Sequence, residues 1–431
     1  MGERIDVGDP GAWLRLDEML RHGPDAARGL AEPELAVALC HGDGRVREAA
    51  LQQASARPEL LPLVVVRCGD WVEQVRARAR KLLREALDVE AGVSLAPLIL
   101  LLGRRGRGSF GVELLDGVLR RASLTQLVPL LRHPDRVVRR FVHRLAVEEE
   151  LLSPAELART ATRDADTVVR NLCAEGALTA VARSGAYGDV LPVLLGARSP
   201  GVRAAGVTAL RGAGEAGRAV GFLADRSGVV RACARYVVRQ GGGDPAALYR
   251  ELCSGEPAPG AVIGLAECGE RGDAAVLWPL VSHARAGVRA RAVGGLRVLG
   301  VVEVRRVLPL LDDPAPGVVR EAALALLPSA GELPEAWLTE RLVGGGRAVR
   351  VAAFRLLDAR GGIVRLRAAV TVLDDPDERL RAWGAQVVQR WHPETRGTPG
   401  DTEVSELLGR ARHLFSEHVL KRRLWEAGLP G

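Results

Sequence analysis

Arginine is the residue type that gives this sequence most of its chemistry. The chain has 60 basic residues, and since only Lys81 and Lys421 are lysines, nearly all of them are arginines. Ten arginines follow a valine or a leucine at almost regular spacing: Arg47, Arg76, Arg139, Arg170, Arg203, Arg231, Arg289, Arg320, Arg350 and Arg381. A row of guanidinium groups could follow the phosphates of a nucleic acid, so this row is the first candidate for binding chemistry.

Two further basic features could bind an anionic partner. The segment 103–109 lengthens one repeat and carries Arg104, Arg105 and Arg107 between glycines, so it could hold an acidic partner or be an insertion that the fold tolerates. Other basic residues make the first third of the chain more basic than the rest: Arg78, Lys81, Arg140 and Arg144. These side chains and the three loop arginines are the candidate binding residues.

Histidine and cysteine form no pattern that predicts a metal site. The eight histidines and six cysteines contain no CxxC pair and no zinc-type spacing, and we expect neither a metal nor a cofactor. The segment 212–217 satisfies the GxGxxG pattern of dinucleotide sites, but it joins two predicted helices where that pattern needs a preceding strand. No residue is predicted to be catalytic.

The spacing of the ten arginines indicates an internal repeat. Successive members are separated by 29, 63, 31, 33, 28, 58, 31, 30 and 31 residues. The two long intervals are about twice the others, and Val112-Glu113 and Val262-Ile263 mark the repeats without the arginine. The sequence therefore predicts twelve repeats of about 31 residues.

The residues around each arginine predict that every repeat is a helical hairpin. The residue before each repeat arginine is apolar, and the residue three after the arginine is small in all repeats but one. The residue seven after the arginine is often apolar. These three positions lie on one face of a helix. A turn such as 312–314 comes before this helix, and an apolar helix such as 124–131 or 304–311 comes before the turn. Since one hairpin cannot bury both of its apolar faces, neighbours must stack into an all-α solenoid.

This unit resembles the HEAT repeat, in particular the short bacterial kind similar to phycobilin-lyase-type HEAT-like repeats. The segments 313–327 and 375–381 carry the resemblance most clearly, and it extends over about residues 34–392. It implies an armadillo-like, right-handed α-α superhelix. It also implies that the repeat arginine is structural and bonds to a turn aspartate or to backbone carbonyls next door. Aspartates stand six residues before four of the arginines: Asp70, Asp164, Asp225 and Asp375.

In solenoids of this kind the second helices usually line the concave side, where the positions five after the arginine should face outward. These positions hold Gln52, Lys81, Arg144, Glu175, Thr208, Tyr236, Gly294, Ala325, Arg355 and Gln386. Three are basic and one is acidic, so they do not form a uniform track for phosphates.

The two ends of the chain are predicted to cover the solenoid. We expect capping helices in 1–33, the repeats in 34–392, a linker in 393–400 and an amphipathic helix in 401–431. The last helix could instead dock on a partner or on a membrane surface. The chain lacks an apolar run of about 18 residues and an apolar N-terminal signal, which favours a cytoplasmic protein without a membrane span.

The favoured function is a non-catalytic scaffold that binds a protein partner along its concave face. A net charge of +7 and a pI near 9.5 are mild for this length, but they allow an alternative, a nucleic-acid binder that uses the basic first third and the Arg104 to Arg107 loop. A remote alternative is a lyase or a glycosylase on the same fold, although the tryptophans that a glycosylase would need lie in distant repeats.

Overall fold

Every regular element in the described part of the chain is a helix. The computed structural model describes residues 9–22, 33–393 and 402–429, and these ranges contain α-helices and short 3-10 helices but no strands. The chain divides into two compact units, Met1–Ala213 and Gly214–Gly431. The predicted all-α class is confirmed.

The described residues form twelve helical hairpins, six in each unit, which we number 1 to 12 along the chain. In the first unit the first helices are Pro33–Cys40, Leu61–Arg67, Val89–Leu102, Leu124–Leu131, Pro154–Arg163 and Leu191–Leu195. The second helices of this unit are Gly44–Ala54, Glu73–Ala86, Ser109–Leu119, Arg136–Glu148, Thr167–Ser184 and Pro200–Ala209. Hairpin 3 is one of the two without the repeat arginine, as the spacing predicts.

The second unit repeats this plan with more 3-10 helix. Its first helices are Ala216–Phe222, Pro245–Ser254, Ala274–Leu277 with Pro279–Ser282, Val304–Val307 with Leu308–Asp312, Glu335–Gly344, and Gly362–Thr371 with Val372–Asp374. Its second helices are Gly228–Gln240, Pro259–Cys268, Ala286–Val298, Pro316–Leu326, Arg347–Ala359 and Glu378–Arg390. The α-helix expected over 304–311 changes to 3-10 geometry where Pro309 occurs, because proline has no N–H to continue the helical hydrogen bonds.

A side chain just before the turn fixes the turn geometry in eight of the twelve hairpins. Aspartate oxygens accept a hydrogen bond from the backbone N–H two residues later at Asp70, Asp164, Asp225, Asp313 and Asp375. Histidine Nδ1 accepts the equivalent bond at His41, His133 and His283. These residues act as local caps, so one turn conformation recurs along the chain.

Small residues three positions after the repeat arginine lie where helices approach each other. A Cβ on Gly206 would lie 3.0 Å from Leu194 Cβ, and a Cβ on Gly384 would lie 2.8 Å from the carbonyl oxygen of Ala369. In other hairpins this position is a buried alanine, such as Ala79 or Ala292. At Gly206 and Gly384 the close approach is between the two helices of one hairpin.

The helix Pro10–His22 packs across the first helices of hairpins 1, 2 and 3. It buries Trp13, Leu16 and Leu20 against them. The sequence predicts a cap for the first hairpin in 1–33, whereas this helix contacts three hairpins. The rest of that predicted cap, residues 1–8 and most of 23–33, lies outside the described residues.

The C-terminal part forms two helices where the sequence predicts one. Thr402–Arg410 packs against the first helix of hairpin 12, and Glu403 forms an ion pair there with Arg367. A 3-10 turn follows, and Ser416 then begins the helix Glu417–Glu426 by accepting a hydrogen bond from the Val419 N–H. This serine N-cap explains the break. The predicted linker 393–400 lies almost wholly outside the described residues.

No helix within the described ranges is both long enough and apolar enough to cross a membrane.

Candidate binding site

Repeat arginines bind the turn of their own hairpin through Nη1. This nitrogen donates to the carbonyl oxygens five and six residues earlier, for example from Arg47 to Gly42 and His41 at 2.9 and 2.7 Å. Bonds to one or both of these carbonyls form at Arg76, Arg139, Arg170, Arg203, Arg231, Arg289, Arg350 and Arg381. Arg320 differs, because it is exposed and donates to Glu321 at 2.9 Å.

The remaining guanidinium nitrogens of five repeat arginines hold a carboxylate of the next hairpin. Arg289 donates from Nε and Nη2 to the two oxygens of Asp313 at 2.9 and 2.8 Å. The same two-point contact joins Arg47 to Asp70, Arg139 to Asp164, Arg231 to Glu267, and Arg350 to Asp375. A guanidinium matches a carboxylate in this geometry, so each pair ties two successive hairpins together.

Two of these carboxylates, Asp313 and Asp375, have pKa values that their arginine partners lower. Burial alone would raise the pKa of Asp313, but hydrogen bonds from Arg289 and from the Ala315 N–H outweigh it and lower that pKa below its ordinary value. The pKa of Asp375 is lowered in the same way against burial, mainly by Arg350. The positive charge of these repeat arginines is therefore compensated inside the fold and is not offered to phosphates.

A buried ion network near the N-terminus was not foreseen from the sequence. Arg67, which is 1% exposed, pairs with Asp17 of the helix Pro10–His22 and with Asp70 at 3.3 Å. Asp70 is shared with Arg47, and both of these side chains are fully buried. The signal that could have found it is an arginine that ends the apolar run of the helix Leu61–Arg67, since a buried arginine needs a carboxylate partner.

Most of the candidate residues of the basic first third are paired with carboxylates. Arg140 binds both oxygens of Asp166 at 2.9 and 2.7 Å, and this contact lowers the pKa of Asp166. Arg144 lies 3.2 Å from Asp116, and three other pairs occur nearby: Arg78 with Glu48, Arg144 with Glu148, and Arg120 with Asp116. Lys81 is exposed and forms no ion pair within the described residues. The structure thus brings carboxylates to these cations and does not leave a continuous positive surface.

The predicted loop forms the turn of hairpin 3 and is partly tied down. Arg107 Nη1 lies 3.5 Å from the carbonyl oxygen of Asp70, and the Arg107 carbonyl accepts a hydrogen bond from Arg80 at 3.3 Å. Arg104 and Arg105 are exposed, and neither forms an ion pair with another described residue. Gly108 cannot be replaced without strain, because a Cβ there would overlap the Leu102 carbonyl.

A cavity of about 330 Å³ lies between hairpins 2 and 3, beneath this loop. Its walls are mainly apolar: Val65, Val66, Leu83, Ile99 and Leu102. The side chains of Arg105 and Arg107 contribute to its edge, and Cys68 lines it as well. Burial raises the pKa of the Cys68 thiol to about 12, so this cysteine is neutral and weakly reactive.

The positions five after the repeat arginine do not all face solvent. Thr208, Glu175 and Tyr236 are exposed, whereas Gly294 and Ala325 are buried, which corrects the prediction for hairpins 9 and 10. The reason is that the second helices of these hairpins pack closely, and a Cβ on Gly294 would lie 3.2 Å from Glu321 Oε2.

An open groove of about 630 Å³ separates the second helices of hairpins 5 and 6. It is lined by small apolar and polar residues, among them Ala174, Leu178, Ala205, Thr179 and Thr208. A groove with walls of this mixed character can bind a polypeptide segment, and the segment does not need to carry a high net charge.

The other motifs do not assemble into a reaction centre within the described residues. The segment 212–217 follows the helix Pro200–Ala209 and ends in the first two residues of the 3-10 helix Ala216–Phe222, with no strand before it among the described residues. No three described His, Cys, Asp or Glu side chains are placed to hold a metal ion. The six cysteines are free, and burial raises the pKa of Cys173 to about 12 and that of Cys253 to about 11. Trp383 packs edge-on against Phe354 at 4.7 Å, as a core aromatic does.

Comparison with known proteins gives structural neighbours only. No protein-family model matches the chain, and no curated protein matches it. Similar solved structures include YibA of Escherichia coli, with 13% identity, 79% of this chain and 96% of that chain covered, and a TM-score of 0.19. Importin beta matches 96% of this chain and 64% of its own at 13% identity and a TM-score of 0.33. The match to Kap121p covers 87% of this chain and 45% of Kap121p, at 13% identity and a TM-score of 0.26.

This chain therefore spans less than two thirds of importin beta and of Kap121p. The fold rests on the chain's own architecture: twelve hairpins in the described residues, a recurring turn, and arginine–carboxylate pairs between successive hairpins. The protein has the all-α solenoid fold of HEAT-like repeats.

Proposed function

We propose that this protein is a non-catalytic scaffold that binds a protein partner along the surface of its second helices. The observation that carries the proposal is the groove between hairpins 5 and 6, where Ala174, Leu178 and Ala205 lie beside Thr179 and Thr208. An interface with a protein needs apolar area interrupted by hydrogen-bonding groups, and this groove supplies both. The six free cysteines support a reducing compartment such as the cytoplasm.

A nucleic-acid partner along the first third has less support. Phosphate binding needs positive charge that the protein itself does not neutralise. Arg78, Arg140 and Arg144 each lie near a carboxylate, so their contribution to such a surface is reduced.

Site-specific photo-crosslinking in cells tests the proposed surface. A crosslinking amino acid at Thr179, which lines the groove, should capture a discrete protein, and mass spectrometry would identify it. The control is Thr125, an exposed threonine on a first helix, where no such adduct should form. Equal capture at both positions, or none at Thr179, would contradict the proposal.

A salt titration separates the two kinds of partner. Fluorescence anisotropy with labelled DNA and RNA should show weak binding with little dependence on salt. A complex dominated by phosphate contacts would instead lose about a thousandfold or more in affinity between 50 and 200 mM salt. That result would favour the nucleic-acid alternative over a protein partner.

A further inference from the structure

The junction of hairpins 2 and 3 lacks the carboxylate that five other junctions use. Arg76 makes the usual contacts with its own turn, since Nη1 donates to the carbonyls of Asp70 at 2.8 Å and Trp71 at 3.4 Å. The turn of the next hairpin, residues 103–108, contains no acidic residue. Within the described residues, Nε and Nη2 of Arg76 therefore have no hydrogen-bond partner, whereas in Arg289 they hold Asp313.

Other guanidinium groups gather at the same place. Arg107 Nη1 lies 3.5 Å from the Asp70 carbonyl oxygen to which Arg76 also donates. Arg80 donates from Nε to the Cys68 carbonyl at 3.1 Å and from Nη2 to the Arg107 carbonyl at 3.3 Å. No ion pair compensates any of these three arginines among the described residues.

The Asp70 carboxylate cannot neutralise this cluster. Its two oxygens already accept hydrogen bonds from Arg47 and Arg67, and one of them also accepts the Val72 N–H. The hydrogen-bond acceptors of these three cations among the described residues are backbone carbonyls, and Arg80 also lies 4.8 Å from the centre of the Phe110 ring. Such a cluster attracts an anion, and the half-buried positions of Arg76 and Arg80 strengthen the attraction relative to open water.

The apolar cavity of about 330 Å³ adjoins this cluster through Arg107 and Cys68. Its volume lies in the range of small-molecule sites, and such sites combine apolar walls with a few convergent polar groups. The Cys68 thiol is neutral and so does not repel an anion. Phosphate alone would leave the walls formed by Val65, Leu83 and Ile99 without a matching group.

We propose that the junction of hairpins 2 and 3 binds a small amphipathic carboxylate. The carboxylate takes the place that a turn aspartate occupies at four other junctions and is held by Arg76 and Arg107. The aliphatic part of the ligand fills the cavity between Val65, Leu83 and Ile99. This site does not depend on the proposed protein partner, and it assigns a binding role to part of the loop that carries Arg105 and Arg107.

Isothermal titration calorimetry with butyrate, hexanoate, octanoate and decanoate tests the site on the full-length protein. Affinity should rise roughly fourfold for each added methylene until the cavity is full, because each buried methylene contributes transfer free energy. Octanol and inorganic phosphate serve as probes that lack the charge or the apolar part, and both should bind at least about tenfold more weakly than octanoate.

Variants separate the two parts of the site. Arg76→Gln and Arg107→Gln should each weaken octanoate binding about tenfold. Val66→Phe should weaken binding by filling the cavity while leaving every charge in place. Arg170→Gln is the matched control, because Arg170 also lacks a carboxylate from the next hairpin, in whose turn no acid occurs, but it lies in hairpin 5 and not at the junction of hairpins 2 and 3.

Arg107 lies in an exposed turn, so Arg107→Gln gives a folded test even if Arg76→Gln unfolds the protein. The proposal is overturned if no alkanoate binds, if chain length has no effect, or if Arg107→Gln binds octanoate as tightly as the unaltered protein. Binding of an acetylated acidic peptide with no binding of octanoate would also overturn it, and would assign the junction to a protein partner.

Discussion

At the scale of single residues, the arginine–carboxylate pairs are the most regular feature of the molecule. The positions of the ten arginines could be read from the sequence because they recur, and Asp164 and Asp375 could be proposed as acceptors from their place in a turn. Glu267 could not, because it lies on the second helix of hairpin 8 and contacts Arg231 and Arg235 only through the packing of successive hairpins. Long-range packing also brings Asp17 to Arg67, fifty residues later in the chain.

Asp375 provides a test of these pairs through pH. Its pKa is below the ordinary value near 3.9, so its pairing with Arg350 stabilises the fold above pH about 4, and this stabilisation is lost as the pH falls through the lower pKa of the folded state. Asp375→Asn should lower the free energy of unfolding by about 1–3 kcal/mol at pH 7, the usual size for a hydrogen bond to a charged group.

Urea unfolding at several pH values would measure this difference. The gap between the two proteins should be constant from pH 7 to about 5 and should shrink below about pH 4. The exposed Asp189 is the control, and Asp189→Asn should change the free energy of unfolding by less than about 0.5 kcal/mol. A gap that persisted unchanged to pH 2 would contradict the role given to Asp375.

At the scale of helices, the sequence predicts the second helix of a hairpin better than the first. In the second helices the residue before the repeat arginine is apolar in every hairpin that has the arginine, and the position three after it is small in all of these but one. The first helices of hairpins 9 and 10 contain Pro279 and Pro309 and change to 3-10 geometry there. Apolar content alone could not reveal this change, because it depends on backbone hydrogen bonds and not on hydrophobicity.

Gly384 tests whether the small residue of the second helix is needed for packing. A Cβ there would clash with Val372 and would lie 2.8 Å from the Ala369 carbonyl oxygen. Gly384→Ala should therefore destabilise the protein, since overpacking costs about 1–3 kcal/mol and the gain in helix propensity is only about 1 kcal/mol.

Gly117 is the matched control for this substitution. It lies in the helix Ser109–Leu119, and a Cβ there would meet no atom within 4 Å. Gly117→Ala should stabilise the protein by up to about 1 kcal/mol in the same urea measurement. If both alanines changed the free energy of unfolding in the same direction, close approach at Gly384 would not be the reason for its glycine.

At the scale of the whole molecule, internal repetition made the architecture predictable. The twelve predicted repeats correspond to twelve hairpins in the described residues. Hairpins 3 and 8 have no repeat arginine, and these are the two repeats that the long intervals in the sequence predict to lack it. The division into Met1–Ala213 and Gly214–Gly431 has no counterpart in the sequence pattern, because the repeat continues through it. The candidate cavity was not predictable either, since it depends on how the loop of hairpin 3 covers hairpin 2.

The two units predict how fragments of the chain should behave. Because a solenoid is stabilised by contacts between neighbouring hairpins, the fragment 214–431 should fold alone with an unchanged helix signal per residue in circular dichroism. A fragment 234–431 starts inside the second helix of hairpin 7 and should lose helix signal beyond that expected from its length. An unfolded 214–431 fragment would contradict the assignment of an independent core to this unit.

The scarcity of lysine has a practical consequence for spectroscopy. Lys81 and Lys421 are both exposed, and they belong to different units. Amine-directed dyes would therefore react at these two side chains and at the N-terminal amine. Because the N-terminal amine has the lower pKa, it can be blocked first near neutral pH, which would leave one defined fluorophore position in each unit for energy-transfer measurements in solution.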